Sequence, residues 1–135
     1  QKMIDKEIIK LASYTSNVGL KNKYSHKISL KNTTCGDKIT LEIIANKKKI
    51  NSIKYETVSC VYCEASASLL ARKLRNIDLK DVKNDFKALK KISSQKNSKI
   101  PKRLSDFRKL LNSDNYNRFK CIFLPIDAVV KALKL

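Results

Sequence analysis

The chain has 135 residues, a length that suits one domain built around one modest hydrophobic core. Hydrophobic residues make up 42% of the sequence, which argues against wholesale disorder. Its apolar runs are shorter than the ~18 residues of a membrane-spanning helix, and the first residues lack the basic and apolar segments of a secretory signal. We therefore expect one cytoplasmic domain over residues 1–135 that does not contact membranes.

The formal net charge of +18 raises nucleic acid as a partner, because a strongly basic surface attracts polyanions. However, 25 of the 30 basic residues are lysine, and they accompany 14 isoleucines and 11 asparagines, residue types with A/T-rich codons. The basic residues are also dispersed, with net charges of +6 over residues 1–67 and +12 over residues 68–135. This pattern favours a solvated surface shaped by genome composition, although a functional role for the charge stays open.

The first half of the chain predicts one helix and then three strands. Apolar residues at helical spacing predict a short amphipathic helix over Met3–Tyr14. Alternating apolar and polar residues predict strands over Tyr24–Leu30, Lys38–Ala45 and Ile50–Val58. Because short turns join these strands, we expect an antiparallel three-stranded meander with helices on one face.

In the second half of the chain, the apolar residues recur at helical spacing. Small and apolar residues that follow Cys63 predict a helix that continues to Ile77 and packs closely on the sheet. Asp78 is suited to cap the next helix, and Pro101 to start another helical piece. The polar segment Ser93–Lys99 between them is predicted to be a loop.

The last predicted element is a helix over Arg118–Leu135. Proline lacks the backbone N–H of a helix interior, so Pro125 is expected near the first turn, and the helix is expected to start close to Cys121. Strands that come first and helices that follow predict an α+β fold, with the three-stranded antiparallel sheet packed against several helices.

Four cysteines in a chain without a secretory signal favour metal binding or reactivity over disulfides. Cys35 lies in the turn before the second strand with Asp37 two residues later, and Cys60 ends the third strand. Because an antiparallel pair brings those two strand ends to one edge of the sheet, these side chains can converge. Cys121 can supply a third thiolate from the last helix. Three sulfurs and a carboxylate suit tetrahedral zinc, and thiolates equally suit an iron–sulfur cluster.

Two further residues are auxiliary candidates at this site. Cys63 forms a Cys-x-x-Cys pair with Cys60, where the start of a helix favours a thiolate. It is either a spare thiol and substitute ligand or a half-buried helix residue without a role. Lys120 either stabilises a neighbouring thiolate or is a solvated charge. The single histidine, His26, lies in a strand pattern well before Cys35, which favours a structural role.

Three motifs in the chain resemble those of one protein family and occur in the same order. They are Cys35-Gly36-Asp37, Ser59-Cys60-x-x-Cys63-x-Ala65-Ser66-Ala67-Ser68 and Arg118-x-Lys120-Cys121-x-x-x-Leu124. Together they resemble the iron–sulfur cluster assembly scaffolds IscU, SufU and the N-terminal domain of NifU, over roughly residues 8–133. The resemblance implies a compact SufE/NifU-like α+β domain whose metal ligands are Cys35, Asp37, Cys60 and Cys121.

Two features are similar to the SufU branch of that family. IscU-type members have a histidine just before the last cysteine and a shorter segment between the second and third cysteines. Here that position is Lys120, and 60 residues separate Cys60 from Cys121. The resemblance implies a protein that holds zinc, or transiently a [2Fe–2S] cluster, and accepts sulfur from a SufS- or IscS-like cysteine desulfurase. Cys121 and Cys35 are the candidate persulfide acceptors, and downstream cluster acceptors are the implied recipients.

The resemblance implies a scaffold or zinc-dependent sulfur acceptor rather than a conventional enzyme. An alternative is a basic nucleic-acid-binding module with a structural zinc, which the scarcity of arginine disfavours. A folded adaptor without a catalytic role is a third interpretation, which the intact set of three cysteines and Asp37 disfavours.

Overall fold

The computed structural model describes residues 5–92, 94 and 99–135. The helices and strands follow one another as α1 (Lys6–Ala12), β1 (His26–Lys31), β2 (Lys38–Ala45), β3 (Lys49–Val58), α2 (Val61–Lys73), β4 (Ile77–Asp78), α3 (Leu79–Ile92), α4 (Phe107–Leu110) and α5 (Phe119–Leu133). Two short 3₁₀ segments, Lys102–Leu104 and Ser113–Arg118, precede α4 and α5. In the part of the chain described, no helix has the length and apolar character needed to cross a membrane.

The predicted α+β fold is confirmed, and most predicted elements lie within a few residues of their expected bounds. The first helix is shorter than predicted because the carboxylate of Asp5 accepts the N–H of Glu7 at 2.8 Å and so caps α1 at Lys6. Met3 and Ile4 lie outside the described residues. The predicted loop over 93–99 also lies outside them, apart from Ser94 and Lys99.

The antiparallel sheet has four strands in the order β1-β2-β3-β4, so the expectation of three strands is wrong by one. The predicted extension of α2 to Ile77 is also wrong, since Ile77 pairs with Ile50 in β4. The cause is a reversal after the helix: Asn76 adopts a left-handed conformation with a φ of 62° and donates its N–H to the Ile50 carbonyl at 2.8 Å. The chain therefore leaves α2 early and returns to the edge of β3.

The core lies between the sheet and the central helix α2. In β2, the inward side chains Ile39, Leu41 and Ile43 are all buried. Every residue from Ala65 to Ala71 in α2 is also buried, because this helix contacts α1, α5 and the sheet. Small side chains at the start of α2 let these neighbours approach closely, as the sequence predicted.

A buried carboxylate holds the segment before β1 against the other face of the sheet. Glu42 is 1% exposed, and one of its oxygens accepts the backbone N–H groups of Lys21 and Asn22 at 2.7 and 3.0 Å. Its other oxygen lies 3.5 Å from the ammonium of Lys27. These contacts compensate the charge of the carboxylate, which would otherwise be costly to bury.

The last helix begins at Phe119, close to Cys121 as predicted, but Pro125 lies beyond its first turn, contrary to the prediction. Proline cannot donate to the carbonyl four residues earlier, which here belongs to Cys121. Burial of both flanks of the proline, from Cys121 to Ile126, stabilises the helix despite the missing bond. The helix is further held by the Ser66 hydroxyl of α2, which donates to the Ile122 carbonyl at 2.6 Å.

We predict that Ser66→Ala lowers the free energy of unfolding by about 1 kcal/mol, because it removes this buried hydrogen bond between α2 and α5. Urea denaturation of metal-free protein measures the change. Ser68→Ala is the matched control, since the Ser68 hydroxyl is equally buried but lies near the Tyr55 hydroxyl without a hydrogen bond of normal geometry to any described residue. Its removal is expected to be neutral or stabilising. Equal losses in the two variants would contradict this account.

Candidate metal centre

Three side chains from distant parts of the chain meet at one edge of the sheet. The ligand atoms of Cys35, Asp37 and Cys121 all lie within 4.8 Å of one another. The closest pair is the two sulfurs of Cys35 and Cys121, which are 3.3 Å apart. The loop between β1 and β2 therefore meets the first turn of α5, although 86 positions separate these cysteines in sequence.

The loop between β1 and β2 is closed by short hydrogen bonds. The Asn32 N–H donates to the Asp37 carbonyl at 2.7 Å, and the Gly36 N–H donates to the Asn32 carbonyl at 2.7 Å. Gly36 has a φ of 76°, a left-handed conformation that glycine adopts at little cost. This tight turn leaves Cys35 exposed and directs Asp37 inward, where its side chain is 4% exposed.

Asn32 positions this loop, a role that the motifs in the sequence do not single out. Its side-chain oxygen accepts the N–H of Thr34 at 3.0 Å, while its backbone N–H and carbonyl close the loop. An asparagine two residues before a threonine in a polar turn is a recognised signal for this arrangement, so the sequence could have indicated it.

Cys60 enters the site from the junction between β3 and α2. The pairing of Lys38 with Val58 brings Asp37 beside the end of β3. One oxygen of Asp37 accepts the Cys60 N–H at 3.0 Å, and the other accepts the Cys60 thiol at 3.4 Å. The Cys60 sulfur does not lie within 4.8 Å of all three ligand atoms. The structure thus gathers three of the four predicted ligands closely and brings the fourth into contact with two of them, Asp37 and Cys121.

The electrostatics of this group fit a cation. Burial by itself would raise the pKa of Asp37, but hydrogen bonds from Cys121 and Cys60 outweigh it and lower that pKa. Burial, followed by the neighbouring Asp37, raises the pKa of Cys121 well above its ordinary value. Burial likewise raises the pKa of Cys60. One carboxylate therefore holds several protonated thiols, and a divalent metal would favour their thiolate forms. The donor set of sulfur and carboxylate fits zinc.

The auxiliary candidates lie outside this group. Cys63 is 0% exposed, more deeply buried than the half-buried position expected for a residue without a role. Burial raises its pKa to about 12. Lys120 is exposed on the first turn of α5 and has no ion-pair partner among the described residues. His26 begins β1, at the end of the strand remote from Cys35, and its Nδ1 lies 2.8 Å from the Ser25 hydroxyl.

Two aromatic rings of the chain stack on its own arginine side chains. The guanidinium of Arg118 lies over the ring of Tyr62 at 5.7 Å, and that of Arg72 lies over Tyr14 at 4.0 Å. Two of the five arginines therefore stack on aromatic faces that a nucleic-acid base would otherwise use. Beside the site, a surface groove of about 1030 Å³ runs between the Asn32 end of β1 and α5.

The sequence matches the NifU-like N terminal domain family over residues 3–132, nearly its whole length. The chain belongs to this family. It is 30% identical over 105 residues to the iron–sulfur cluster assembly scaffold protein IscU of Thermotoga maritima. The matched region covers 77% of this chain and 73% of that protein.

Solved structures confirm the fold of this family member. A nitrogen-fixing NifU-like protein (N-terminal) from Brucella abortus superposes with a TM-score of 0.85 at 19% identity, covering 96% of this chain and 91% of that one. A putative SUF-system scaffold protein, SufU, from Fervidobacterium islandicum AW-1 superposes with a TM-score of 0.85 at 20% identity, covering 96% of each chain. The resemblance to IscU, SufU and NifU stated from the motifs is thus confirmed.

The different exposures of the four cysteines predict different reactivities. In reduced, metal-free protein we expect iodoacetamide to alkylate Cys35 at least ~10-fold faster than Cys63, because an exposed thiol is accessible and a buried one is both shielded and protonated. Peptide mass spectrometry at successive times measures the rate at each cysteine. In the urea-unfolded control, the four rates should become similar. Equal rates at Cys35 and Cys63 in the folded protein would contradict the structure.

Proposed function

We propose that this family member is an iron–sulfur cluster assembly scaffold that holds zinc and accepts sulfur from a cysteine desulfurase. Its metal ligands are Cys35, Asp37, Cys60 and Cys121. The desulfurase and the downstream cluster acceptors are its partners. Family membership and the name of the Thermotoga maritima relative support the scaffold role. The zinc site and the sulfur transfer rest on the chemistry of the residues themselves.

The observation that carries the proposal is the convergence of Cys35, Asp37 and Cys121 within 4.8 Å. Such a spacing suits one shared tetrahedral metal, whose bonds to sulfur are about 2.3 Å and to carboxylate oxygen about 2.0–2.2 Å. Cys60 completes the set, because it already contacts Asp37 at 3.4 Å and needs only a short side-chain movement. When bound, zinc keeps its cysteine ligands as thiolates near neutral pH and stabilises the fold.

Cys35 is suited to receive sulfur from a partner protein because it is exposed on a loop. Its thiolate attacks the outer sulfur of the desulfurase persulfide, forms Cys35–S–SH and releases the desulfurase cysteine as a thiolate. Cys121 is buried but lies 3.3 Å from Cys35, so it can take the outer sulfur in a second exchange of the same kind. Asp37, the one oxygen ligand, is the ligand most easily exchanged.

A [2Fe–2S] cluster is the cargo of this scaffold rather than its resident metal. The same thiolates can hold iron, because cysteine sulfur is the usual ligand of such clusters. Cys35, on the exposed loop, lies on the side from which iron, sulfur and an acceptor protein can approach. The protein therefore uses one set of residues to hold zinc, to accept sulfur and to carry the cluster transiently.

Metal analysis tests the ligand set. We predict that the wild-type protein, purified without chelators, contains close to one zinc per chain, and that Cys35→Ser and Cys60→Ser lose most of it. Both variants should also unfold at lower temperature, because metal binding contributes to folding free energy. Elemental analysis and thermal unfolding measure the two effects.

Cys63→Ser is the matched control for that experiment, because Cys63 is a buried cysteine outside the group of ligand atoms. In reduced protein it should retain the metal. Metal content that is unchanged in Cys35→Ser and Cys60→Ser would rule out the proposed site. Loss of metal in Cys63→Ser with a normal circular dichroism spectrum would make Cys63 a ligand.

Desulfurase turnover tests the sulfur-acceptor role. We predict that the wild-type protein increases cysteine turnover by a SufS-like desulfurase and that Cys35→Ser abolishes the increase, because the exposed thiol is the first acceptor. Lys47→Ala, on the remote turn between β2 and β3, should stimulate turnover like the wild type. A desulfurase that does not respond to the purified protein would refute sulfur acceptance while leaving the metal site intact.

A further inference from the structure

The proposed function leaves one buried thiol unused. Cys63 is 0% exposed and lies in the first turn of α2, three residues after Cys60, which is the N-cap residue of that helix. Cys60 is less deeply buried and contacts Asp37. The two residues thus form a Cys-x-x-Cys pair in which one sulfur faces the metal group and the other faces the core.

The backbone brings the two cysteines within disulfide range. The intervening Val61 and Tyr62 are helical, so the Cα atoms of Cys60 and Cys63 are about 5 Å apart by helix geometry. Disulfides span Cα separations of roughly 4.4–6.8 Å. Cys60 itself is extended, with a φ of −73° and a ψ of 167°, which directs an N-cap side chain over the first helical turn. The N–H of Cys63 accordingly lies near the Cys60 sulfur, although no well-aligned capping hydrogen bond forms.

Cys60 also differs from the other proposed ligands. The ligand atoms of Cys35, Asp37 and Cys121 form a compact group, and the Cys60 sulfur lies at its margin. It contacts Asp37 and Cys121 of this group on one side and lies near the first turn of α2 on the other. Rotation of the Cys60 side chain would therefore move its sulfur from the metal group to a position that faces Cys63.

We propose that Cys60 and Cys63 form a reversible disulfide that withdraws Cys60 from the metal site, so that the protein retains its metal only while this pair is reduced. The inference rests on the proposed function in one respect, that Cys60 is a metal ligand. The disulfide itself depends only on the two cysteines and the start of α2.

The reaction is a two-step thiol–disulfide exchange with a small disulfide such as oxidised glutathione. The Cys60 thiolate attacks one sulfur of the oxidant, forms a mixed disulfide and releases one glutathione thiolate. Cys63 then attacks the Cys60 sulfur, forms the Cys60–Cys63 bond and releases the second thiolate. The two protein thiols lose two electrons to the oxidant, and their two protons leave with the two glutathione molecules. A dithiol reverses both steps.

The competing pair is Cys35 and Cys121, whose sulfurs are 3.3 Å apart. Both belong to the compact group, so bound zinc would hold both sulfurs and protect them from oxidation. Cys63 is outside that group and is not protected in this way. Zinc would hold Cys60 as well, but the Cys60 sulfur lies outside the compact group, and the unbound thiol of Cys63, three residues away, can resolve a mixed disulfide formed there. Oxidation of the metal-loaded protein is therefore expected to reach the Cys60–Cys63 pair first.

Tryptic peptide mapping distinguishes the two pairs. Cleavage after Lys54 and Arg72 leaves Cys60 and Cys63 on one peptide, whereas Cys35 and Cys121 fall on two others. We expect metal-loaded wild-type protein treated with oxidised glutathione to yield the peptide 55–72 with an internal disulfide, lighter by two hydrogen atoms. Zinc release, followed with a chromogenic chelator, should proceed in parallel and be reversed by dithiothreitol and added zinc.

Cys63→Ser and Cys63→Ala provide the matched variants, because each removes the resolving thiol and keeps all four proposed ligands. We expect zinc release under the same oxidant to be at least ~10-fold slower in both, since a mixed disulfide on Cys60 can no longer be resolved internally. The use of two variants separates the loss of the thiol from any packing change at this buried position. Equal release rates in the variants and the wild type, or a cross-link between the Cys35 and Cys121 peptides instead of the internal disulfide, would overturn the proposal.

The outcome is separable from that of the proposed function. Reduced protein that binds no zinc refutes the metal site, whatever the peptide map shows. Reduced protein that binds zinc and stimulates the desulfurase, but forms no internal disulfide in peptide 55–72, refutes only the redox control.

Discussion

The buried carboxylate of Asp37 is the interaction on which the candidate site depends. It accepts the backbone N–H of Cys60 at 3.0 Å and the Cys60 thiol at 3.4 Å, and so joins the start of β2 to the start of α2. Hydrogen bonding from Cys121 to the same carboxylate includes α5 in this junction. Apolar packing is non-directional, whereas hydrogen bonds fix orientation. Asp37 therefore orients side chains that the core merely brings near one another.

The surrounding fold disfavours the thiolate forms of these cysteines, and a bound metal would stabilise them. Burial raises the pKa of Cys60 and Cys121, while hydrogen bonds keep Asp37 ionised. The close approach of α2 and α5 creates this burial, through small side chains and the Ser66 hydroxyl bond to the Ile122 carbonyl. A site that is buried, rich in thiols and held by one carboxylate is suited to bind a soft divalent cation and to release it when a thiol is modified.

Most of the site could be predicted from the sequence because the register of two paired strands brings its residues to one edge of the sheet. Alternating residues identified β2 and β3, and the pairing of Lys38 with Val58 brings Asp37 beside Cys60. The two-residue strand β4 could not be predicted, because it is too short to alternate and depends on the left-handed Asn76. The complete burial of Cys63 and the marginal position of the Cys60 sulfur could not be predicted either. Both depend on side-chain packing rather than on the spacing of apolar residues along the sequence.

The central claim is that three sulfurs and one carboxylate oxygen share one metal at the edge of the sheet. The most direct test is the X-ray absorption spectrum of the protein at the zinc edge, which counts the atoms bound to zinc by type and distance. The account predicts about three sulfurs near 2.3 Å and one oxygen near 2.0–2.2 Å in the reduced wild-type protein. A shell of four sulfurs, or of nitrogen and oxygen atoms alone, would contradict it.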